Sequence, residues 1–324
     1  MMIKFYSDHI KKEFTGSIHS PVKNRDISEC PNRIIYHKVT QASYLNQIGP
    51  LSIKYVFNGK ERYDFDRNRV IVDDSSYLIL NNQRCYCNFI DSEDDVESLT
   101  IFFNKDFVSE VMASLVTPDD KLLEDPHLTY DQPVLFFEKL YPHDNIITPR
   151  LHHLRKMIMN GLGTQIALEE YFCDLLEGML QVHRNIYQEI EKLPPVRYST
   201  RVEIYRRLHR AKDFIDSNFK ENIGLMEMAD IASLSRYHFL RLFKTAFEET
   251  PHQYLIRKRL DAAQNLLLST NMSITQICFE VGFESLSSIN RLFSQHVGQS
   301  PRNFRRGNFK FEAQQFPLAD NTMS

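Results

Sequence analysis

The sequence carries SRYHFLRLFK at residues 235–244 and SLSSINRLFS at residues 285–294, one pattern that recurs after 50 residues. The same shift relates Pro251 to Pro301 beyond the two stretches. A constant shift that holds through several unlike residue types indicates one supersecondary unit used twice. The organisation of the rest of the chain follows from this repeat.

Each copy of the repeat has the pattern of a helix, a tight turn and a second helix. Leu225 and Met228 lie about one helical turn apart in the first helix of the first copy. Ser235 and Ser285 precede the second helix of each copy, and serine is favoured at the N-cap position. Apolar residues form the inward stripe of the second helices: Phe239, Leu242, Phe243 and Phe247 in the first copy, and Ile289, Leu292, Phe293 and Val297 in the second.

The outward face of the second helix is basic in the first copy. It carries Arg236, Tyr237, Arg241 and Lys244. A helix that combines a buried stripe with an Arg-rich outward face is typical of a recognition helix in the DNA major groove. The predicted helix between the copies, residues 253–269, spans roughly 25 Å, which suits two reading units on successive grooves ~34 Å apart. The alternative is an ordinary helical bundle with solvated arginines, and the repeat favours DNA binding over it.

The C-terminal part of the chain resembles the DNA-binding domain of AraC/XylS-type transcription regulators. The resemblance rests on Arg259-Leu260 with Ala263 and Leu266-Leu267, on Ser273–Ile277, on Val281–Ser285, and on Gly298–Pro301 with Phe304-Arg305. It covers roughly a third of the 324 residues. It implies an all-α domain with two helix-turn-helix units joined by a linking helix.

The resemblance also implies which residues contact DNA. The base-reading positions of the family fall on Tyr237, Leu240 and Arg241 in the first unit, and on Leu286, Ser287, Ser288, Asn290 and Arg291 in the second. Arg241 and Arg291 are expected to read base edges. Lys244, Arg257 and Lys258 are expected to face phosphates and to position the protein.

The second unit departs from the family's pattern at three positions. Ile289 replaces a residue that is usually aromatic, Ser294 replaces a usual lysine, and Leu286 is apolar where polar residues are common. These departures imply that the second unit holds DNA less tightly, or reads it more by shape.

The net charge is distributed unevenly along the chain. It is −3 overall, yet residues 201–306 contain 16 Lys and Arg against 11 Asp and Glu, a balance of +5 that leaves −8 for the rest. This asymmetry supports a double-stranded DNA partner for the C-terminal part alone. Its modest size predicts a salt-sensitive affinity that gains from dimerisation.

Residues 34–104 change to short segments in which apolar and polar residues alternate. Asn58-Gly59 predicts a β-hairpin, and the acidic residues 91–95 predict a turn between two further strands. Strands at such regular intervals predict a small barrel or jelly roll, so the fold class of the whole chain is predicted to be α+β. In the resembled family, an N-terminal domain of this kind is often a cupin-like barrel that senses a small molecule.

The predicted barrel lacks the residues that catalysis would need. Cupin-type catalysis uses a metal held by several histidines and a glutamate, and His37 is the only histidine between residues 34 and 104. No Ser/His/Asp order, glycine-rich phosphate loop or catalytic cysteine motif occurs elsewhere. We therefore expect no enzyme activity, no metal and no cofactor. We expect instead a noncatalytic pocket in which arginine side chains hold an anionic ligand, and the alternative is that these arginines are solvated surface residues. These arginines are Arg62, Arg67, Arg69 and Arg84.

Five cysteines, an odd number, accompany a start at Met1–Tyr6 that has no apolar signal-peptide run. We therefore expect a cytoplasmic chain with reduced thiols. No segment approaches transmembrane length, so no membrane partner is expected. Cys85 and Cys87 are expected to pack rather than to form a redox or metal site.

Residues 148–193 have a helical pattern with a break at Gly161–Gly163. The second half is apolar around more than one face: Ile166, Leu168, Tyr171, Phe172, Leu175, Leu176, Met179 and Leu180. In the resembled family this position carries the dimer interface, so we expect a homodimer. The alternative is a helix that its own domain buries completely.

Four segments are expected: a sensing and dimerising domain at residues 1–193, a linker at 194–200, a DNA-binding domain at 201–306 and a flexible tail at 307–324. The hypothesis is a transcription regulator whose further partners are a small-molecule effector and RNA polymerase. Two alternatives stay open. One is an enzyme that the helical domain directs to DNA, and the other is a regulator whose N-terminal domain binds a protein.

Overall fold

The computed structural model describes residues 31–66, 68–118, 121, 123, 129–130, 134–161, 165–194 and 197–306. The predicted tail at residues 307–324 lies outside them, as do Cys30 and Arg67. The chain divides into two compact units between Asp213 and Phe214.

The N-terminal unit is built on one antiparallel sheet, which has seven strands in the described part of the chain. The strands are β1 (Arg33–Gly49), β2 (Leu51–Asn58), β3 (Lys60–Phe65), β4 (Asn68–Asp73), β5 (Ser76–Leu80), β6 (Arg84–Phe103) and β7 (Leu140–Pro142). They lie in the order β4-β3-β6-β2-β5-β7, with β1 also on β6, and the sheet curls into a nearly closed barrel. Together with the helical C-terminal unit, this confirms the α+β architecture predicted from the sequence.

The hairpin predicted at Asn58-Gly59 is wrong. Strand β2 pairs with residues 97–103 of β6, whereas β3 pairs with residues 87–89 of the same strand. Gly59 turns a corner between these two pairings, with a φ of +88° and a position where an added Cβ would lie 2.7 Å from Val96 Cγ2. The glycine is therefore required for a close approach to β6 rather than for a hairpin turn.

The turn predicted at residues 91–95 is also wrong, because β6 continues through them. In the pairing with β1, Asp91 lies opposite Gln41 and Val96 lies opposite Val39, so the residues between them form a bulge. Ile90 and Val96 on either side of the bulge are buried. The inward apolar row therefore continues, and the bulge accommodates the acidic residues.

Helices α1 (Lys105–Val116), α2 (Ile147–Met159) and α3 (Gln165–Glu191) also belong to the N-terminal unit. The apolar side of α3 is buried by its own unit, and Phe172 contacts Phe103 and Phe107 edge-on with ring centroids 5.7 and 6.2 Å apart. Six of the eight apolar residues from which the sequence predicted a dimer interface are therefore buried within one chain, and Leu180 is half-buried. No helix in the described ranges is long and apolar enough to cross a bilayer.

Helix α4 (Tyr198–Asn218) begins in the N-terminal unit, although the sequence assigned it to the DNA-binding domain. The buried Lys139 donates from Nζ to Tyr205 Oη at 2.9 Å, and Tyr205 donates in turn to Glu189 Oε2 at 2.5 Å. Asp213 accepts a backbone hydrogen bond from the β7 strand. These bonds join α4, from Tyr205 to Asp213, to the rest of the N-terminal unit, so the compact units divide inside the helix rather than at residues 194–200.

The C-terminal unit contains two helix-turn-helix motifs and the helix that links them. Its helices are α5 (Leu225–Ile231), α6 (Arg236–Phe247), α7 (Pro251–Ser269), α8 (Ile274–Glu280) and α9 (Leu286–Val297). Helices α5 and α6 form the first motif, α8 and α9 form the second, and α7 is the link. The turns use backbone of positive φ, at Ser233 (52°) in the first motif and at Gly282 (88°) in the second.

We expect Phe172→Ala to destabilise the N-terminal unit by about 3–5 kcal/mol, because it removes a fully buried ring that packs on two others. Urea unfolding followed by circular dichroism measures the loss. Tyr187→Ala on the same helix is the matched control, since Tyr187 is 43% exposed, and it should cost less than about 1 kcal/mol. Equal losses for the two variants would contradict the packing described for α3.

Candidate nucleic-acid interface

Helix α6 presents the residues that the sequence assigned to the first recognition helix. Its orientation is fixed because Phe239, Leu242 and Phe243 are buried. Successive residues of an α-helix are about 100° apart, so Tyr237, Arg241 and Lys244 lie opposite the buried side and furthest from it among the five predicted site residues. These residues are Arg236, Tyr237, Leu240, Arg241 and Lys244. Four of them are exposed, Tyr237 at 79%, and Leu240 is half-buried.

Helix α9 repeats the arrangement in the second motif. Ile289 and Phe293 are buried, whereas Leu286, Ser287, Asn290 and Arg291 are exposed, with Ser287 and Arg291 opposite the buried residues. Ser288 differs because it is half-buried and its hydroxyl lies 2.8 Å from that of Ser285, the N-cap residue. The structure therefore exposes four of the five predicted residues and turns the fifth towards the helix cap.

The basic residues of the recognition helices differ from those of α7 in their partners. Within the described ranges, no ion pair is formed by Arg236, Arg241, Lys244 or Arg291. In contrast, Arg257 pairs with Glu249 at 2.7 Å and Lys258 pairs with Asp216 at 3.1 Å. The charges of Arg257 and Lys258 are already compensated inside the protein, so Lys244 is the better phosphate contact of the three that the sequence proposed.

A second candidate site lies inside the barrel, and the sequence analysis missed it. Lys54 and Glu61 are each only 1% exposed. Lys54 Nζ donates to Tyr86 Oη at 2.9 Å and lies 4.3 Å from the centre of the Phe102 ring, while Glu61 Oε1 accepts from Asn88 Nδ2 at 2.7 Å. Buried ionisable groups are costly, and such groups concentrate at functional sites. We call Lys54, Glu61, Tyr63, Tyr86 and Asn88 the barrel cluster.

Burial sets the protonation of the barrel cluster. It lowers the pKa of Lys54 to about 7, and the carboxylate of Glu61 opposes this shift. Burial and the same carboxylate raise the pKa values of Tyr63 and Tyr86. Burial also lowers the pKa of His37, whose Nε2 lies 2.7 Å from the hydroxyl of Ser98. Hydrogen-bond donors and acceptors thus face each other beside aromatic rings, and such convergent groups with shifted pKa values concentrate at functional sites.

The arginines that the sequence proposed for an anionic ligand have partners in the protein. Arg62 and Arg69 both lie within 3.4 Å of Asp64, and Arg84 forms an ion pair with Glu138. Among the described residues, the barrel cluster is therefore a better candidate for ligand binding than these three arginines.

Cys173 is poorly suited to catalysis. Burial raises the pKa of its thiol, and the carboxylates of Glu177, Glu169 and Glu170 add to the shift. A raised pKa lowers the thiolate fraction, which is the nucleophilic form. The raised pKa disfavours a catalytic role for Cys173 in an enzyme that is directed to DNA by its helical domain.

The helix-turn-helix motifs are similar in sequence to those of known proteins. Residues 228–307 match a family model described as a helix-turn-helix domain. The chain is 33% identical over 93 residues to the probable transcriptional regulator LumQ of Photobacterium leiognathi. The aligned region is 29% of this chain and 38% of that protein. The chain is 34% identical over 101 residues to the HTH-type transcriptional activator RhaS of Enterobacter sp. (strain 638). The aligned region is 31% of this chain and 36% of that protein.

A third relative combines two activities in its name. The chain is 36% identical over 94 residues to the bifunctional transcriptional activator/DNA repair enzyme AdaA of Bacillus subtilis (strain 168), which covers 29% of this chain and 44% of that protein. The aligned region spans less than half the length of each of these three relatives. The similarity therefore describes a shared domain and not whole proteins.

We expect the N-terminal unit to become more stable as the pH rises from about 7 to about 9. Lys54 has a pKa of about 7 in the folded chain against 10.5 without burial, so unfolding takes up a proton in this range and is disfavoured as the pH rises. Lys54→Met should remove up to about 1.4 kcal/mol of this rise per pH unit. Urea unfolding at pH 7, 8 and 9 measures it.

The matched control for this experiment is Lys60→Met, which alters an exposed lysine at the start of β3. Its pH dependence should equal that of the unaltered protein. Some rise should persist in Lys54→Met, because burial also lowers the pKa of Lys139 to about 8. An unchanged slope in Lys54→Met would contradict the burial of a titrating amine in the barrel.

Proposed function

We propose that this chain, whose residues 228–307 match a helix-turn-helix domain of the AraC type, regulates transcription by binding double-stranded DNA through two recognition helices. One observation carries the proposal. Two equivalent helices bury their apolar faces and expose opposite faces whose cations form no ion pair in the described part of the chain. Regulation would take place in the cytoplasm, where the chromosome of a bacterial-type cell lies.

The exposed residues divide into two roles. Arg241 and Arg291 occupy equivalent positions on the outward faces of α6 and α9, where a guanidinium can donate two hydrogen bonds to O6 and N7 of guanine. Lys244 has a flexible stem and suits phosphate. At the start of α9, the exposed hydroxyl of Ser287 lies beside backbone N–H groups that attract a phosphate, and the exposed Leu286 suits the methyl group of thymine.

The N-terminal unit is proposed to sense a small polar molecule through the barrel cluster. The support is the full burial of Lys54 and Glu61 among hydrogen-bonding aromatic residues. A ligand would alter DNA binding to the extent that its affinity differs between arrangements already accessible to the protein. A protein partner for this unit, with the barrel interior left without a ligand, is the alternative.

Homodimerisation and contact with RNA polymerase complete the proposal. The support for a dimer is the modest charge of the C-terminal unit, because its residues 214–306 contain 11 Lys and Arg against 9 Asp and Glu, a balance of +2. Few phosphate contacts per chain limit the affinity of one copy. The apolar side of α3 no longer supports it, since that side is buried within one chain. Sedimentation equilibrium with and without DNA tests the dimer.

We expect Arg241→Ala to weaken binding to selected DNA by about 1–3 kcal/mol and to relax sequence preference at the contacted base pair. Lys244→Ala should instead weaken binding to all sequences similarly and reduce the salt slope by about 1. The measurement is fluorescence anisotropy of full-length protein at several salt concentrations, with duplexes selected from a randomised library and with scrambled duplexes.

Arg207→Ala is the control for this experiment, because Arg207 lies in the N-terminal unit and pairs with Glu203. It should leave both affinities unchanged. Binding that ignores sequence in the unaltered protein, or an Arg241→Ala variant with full affinity and selectivity, would refute the role given to α6.

The sensing role is tested separately by thermal unfolding of the full-length protein with a panel of sugars, amino acids and small carboxylic acids. A true ligand should raise the melting temperature of the N-terminal unit. Lys54→Met should reduce this rise, whereas Lys60→Met should not. A complete absence of stabilisation across the panel would favour the protein-partner alternative for this unit.

A further inference from the structure

Residues 219–221, which connect α4 to the first helix-turn-helix motif, are bonded to α7 through one arginine. Arg259 lies in the middle of α7 and donates from Nε to the backbone oxygen of Phe219 at 2.7 Å. It also donates from Nη2 to the backbone oxygen of Glu221 at 2.7 Å. One planar guanidinium therefore spans two carbonyl groups of the connecting segment.

The same segment touches the turn of the second motif. A Cβ added to Gly282 would lie 2.4 Å from the backbone oxygen of Lys220, and the φ of Gly282 is +88°. Both facts restrict this position to glycine. The side chain of Lys220 forms an ion pair with Glu280 at the end of α8. We call Arg259, Lys220, Glu280 and Gly282 the latch.

Arg259 also reaches towards the core of the second motif. Its guanidinium lies 5.8 Å from the centre of the Phe283 ring. Phe283 is buried in an apolar cluster that includes Ile289 and Phe293 of the second recognition helix. The latch therefore connects the segment that leads into the first motif with the residues that hold the second recognition helix.

The latch gives the two motifs a second connection. The first connection runs through the start of α7, where Phe243 of α6 also packs against Tyr254, and a connection at one end alone leaves rotation about that end open. Glu248 ends α6 with a φ of +63°, and the next residue, Glu249, is paired with Arg257 of α7, so this connection is confined to one end of the first motif. Two bodies joined at two separate places lose this freedom, so the latch holds the motifs in one mutual orientation.

We propose that Arg259 is a positioning residue that, through the latch, fixes the spacing between the two DNA segments that the motifs read. This inference rests on the proposed function. It adds a residue that determines specificity through bonds to the protein backbone and not through contact with DNA. One inserted base pair shifts the second segment by about 3.4 Å and rotates it by about a tenth of a turn. A rigid pair of motifs tolerates this displacement only if the DNA deforms.

The experiment uses the full-length protein and a duplex selected from a randomised library. From this duplex a series is made in which the two contacted segments are brought one base pair closer or moved one or two base pairs apart. The unaltered protein should lose at least about tenfold in affinity at each altered spacing. Arg259→Met should lose less than about threefold, with unchanged base preference inside each segment.

Arg305→Met is the matched control. Arg305 also donates to a backbone oxygen of α7, that of Leu267 at 3.3 Å, but Leu267 belongs to the apolar cluster of the second motif, so this bond does not reach the first motif. Its spacing penalty should equal that of the unaltered protein. Arg259→Lys keeps the charge but cannot bridge two carbonyl groups, and it should give an intermediate penalty if Arg259→Met folds poorly.

A measurement without DNA separates the latch from DNA binding. In hydrogen–deuterium exchange, Arg259→Met should accelerate exchange in residues 219–224 and in residues 282–286 together, and Arg305→Met should not. A full spacing penalty in Arg259→Met, or faster exchange in only one of the two segments, would overturn the latch. A third outcome is possible: Arg259→Met accelerates exchange in both segments, but the unaltered protein binds DNA without sequence selectivity. That result would refute the proposed function and leave the latch as a property of the fold.

Discussion

The candidate DNA contacts depend on the burial of two aromatic rings at equivalent positions of the recognition helices. Phe243 packs edge-on against Tyr254, and Phe293 packs edge-on against Phe304. Arg241 and Arg291 lie two residues before these rings, which places them on the opposite side of each helix. Because the rings are fully buried, the arginines are directed to solvent. The chemistry of the surface is thus a consequence of core packing, and a loss of either ring would rotate or release the corresponding face.

The helices of the C-terminal unit could be predicted from the sequence because their signals are local and repeated. The residues after Ser235 and Ser285 needed only helical spacing to be assigned to an inner or an outer face. Strand pairing in the barrel could not be predicted in this way, since partners such as residues 51–58 and 97–103 are far apart in the sequence. Asn58-Gly59 has the composition of a hairpin turn, yet the long strand β6 takes both neighbouring strands as partners. The residue types at Asn58-Gly59 determine where the chain bends, whereas the closure of the barrel determines which strands pair on either side of the bend.

Lys54 illustrates the same limit for a candidate site. In the sequence it lies between Ile53 and Tyr55 and has the appearance of an ordinary polar position of an alternating strand. The structure buries all three residues, because β2 is covered on both faces, so the amine loses water and its pKa falls. The unit therefore gives up stability to retain Lys54 beside Glu61. A ligand that supplied hydrogen bonds to both groups would recover part of that stability through binding to the folded state alone.

The number of uncompensated cations limits what either motif can achieve alone. Within the described ranges, three Lys or Arg side chains without an ion pair lie on α6 and only Arg291 lies on α9. A single motif would therefore make few phosphate contacts and bind weakly at physiological salt. Joining the motifs makes the second binding step intramolecular, with a high effective concentration if the spacing fits. The rigidity that raises affinity at one spacing lowers it at every other. Specificity in such a chain would then reside as much in Arg259 and Gly282, which are bonded to or packed on the protein itself, as in Arg241 and Arg291, which face the solvent.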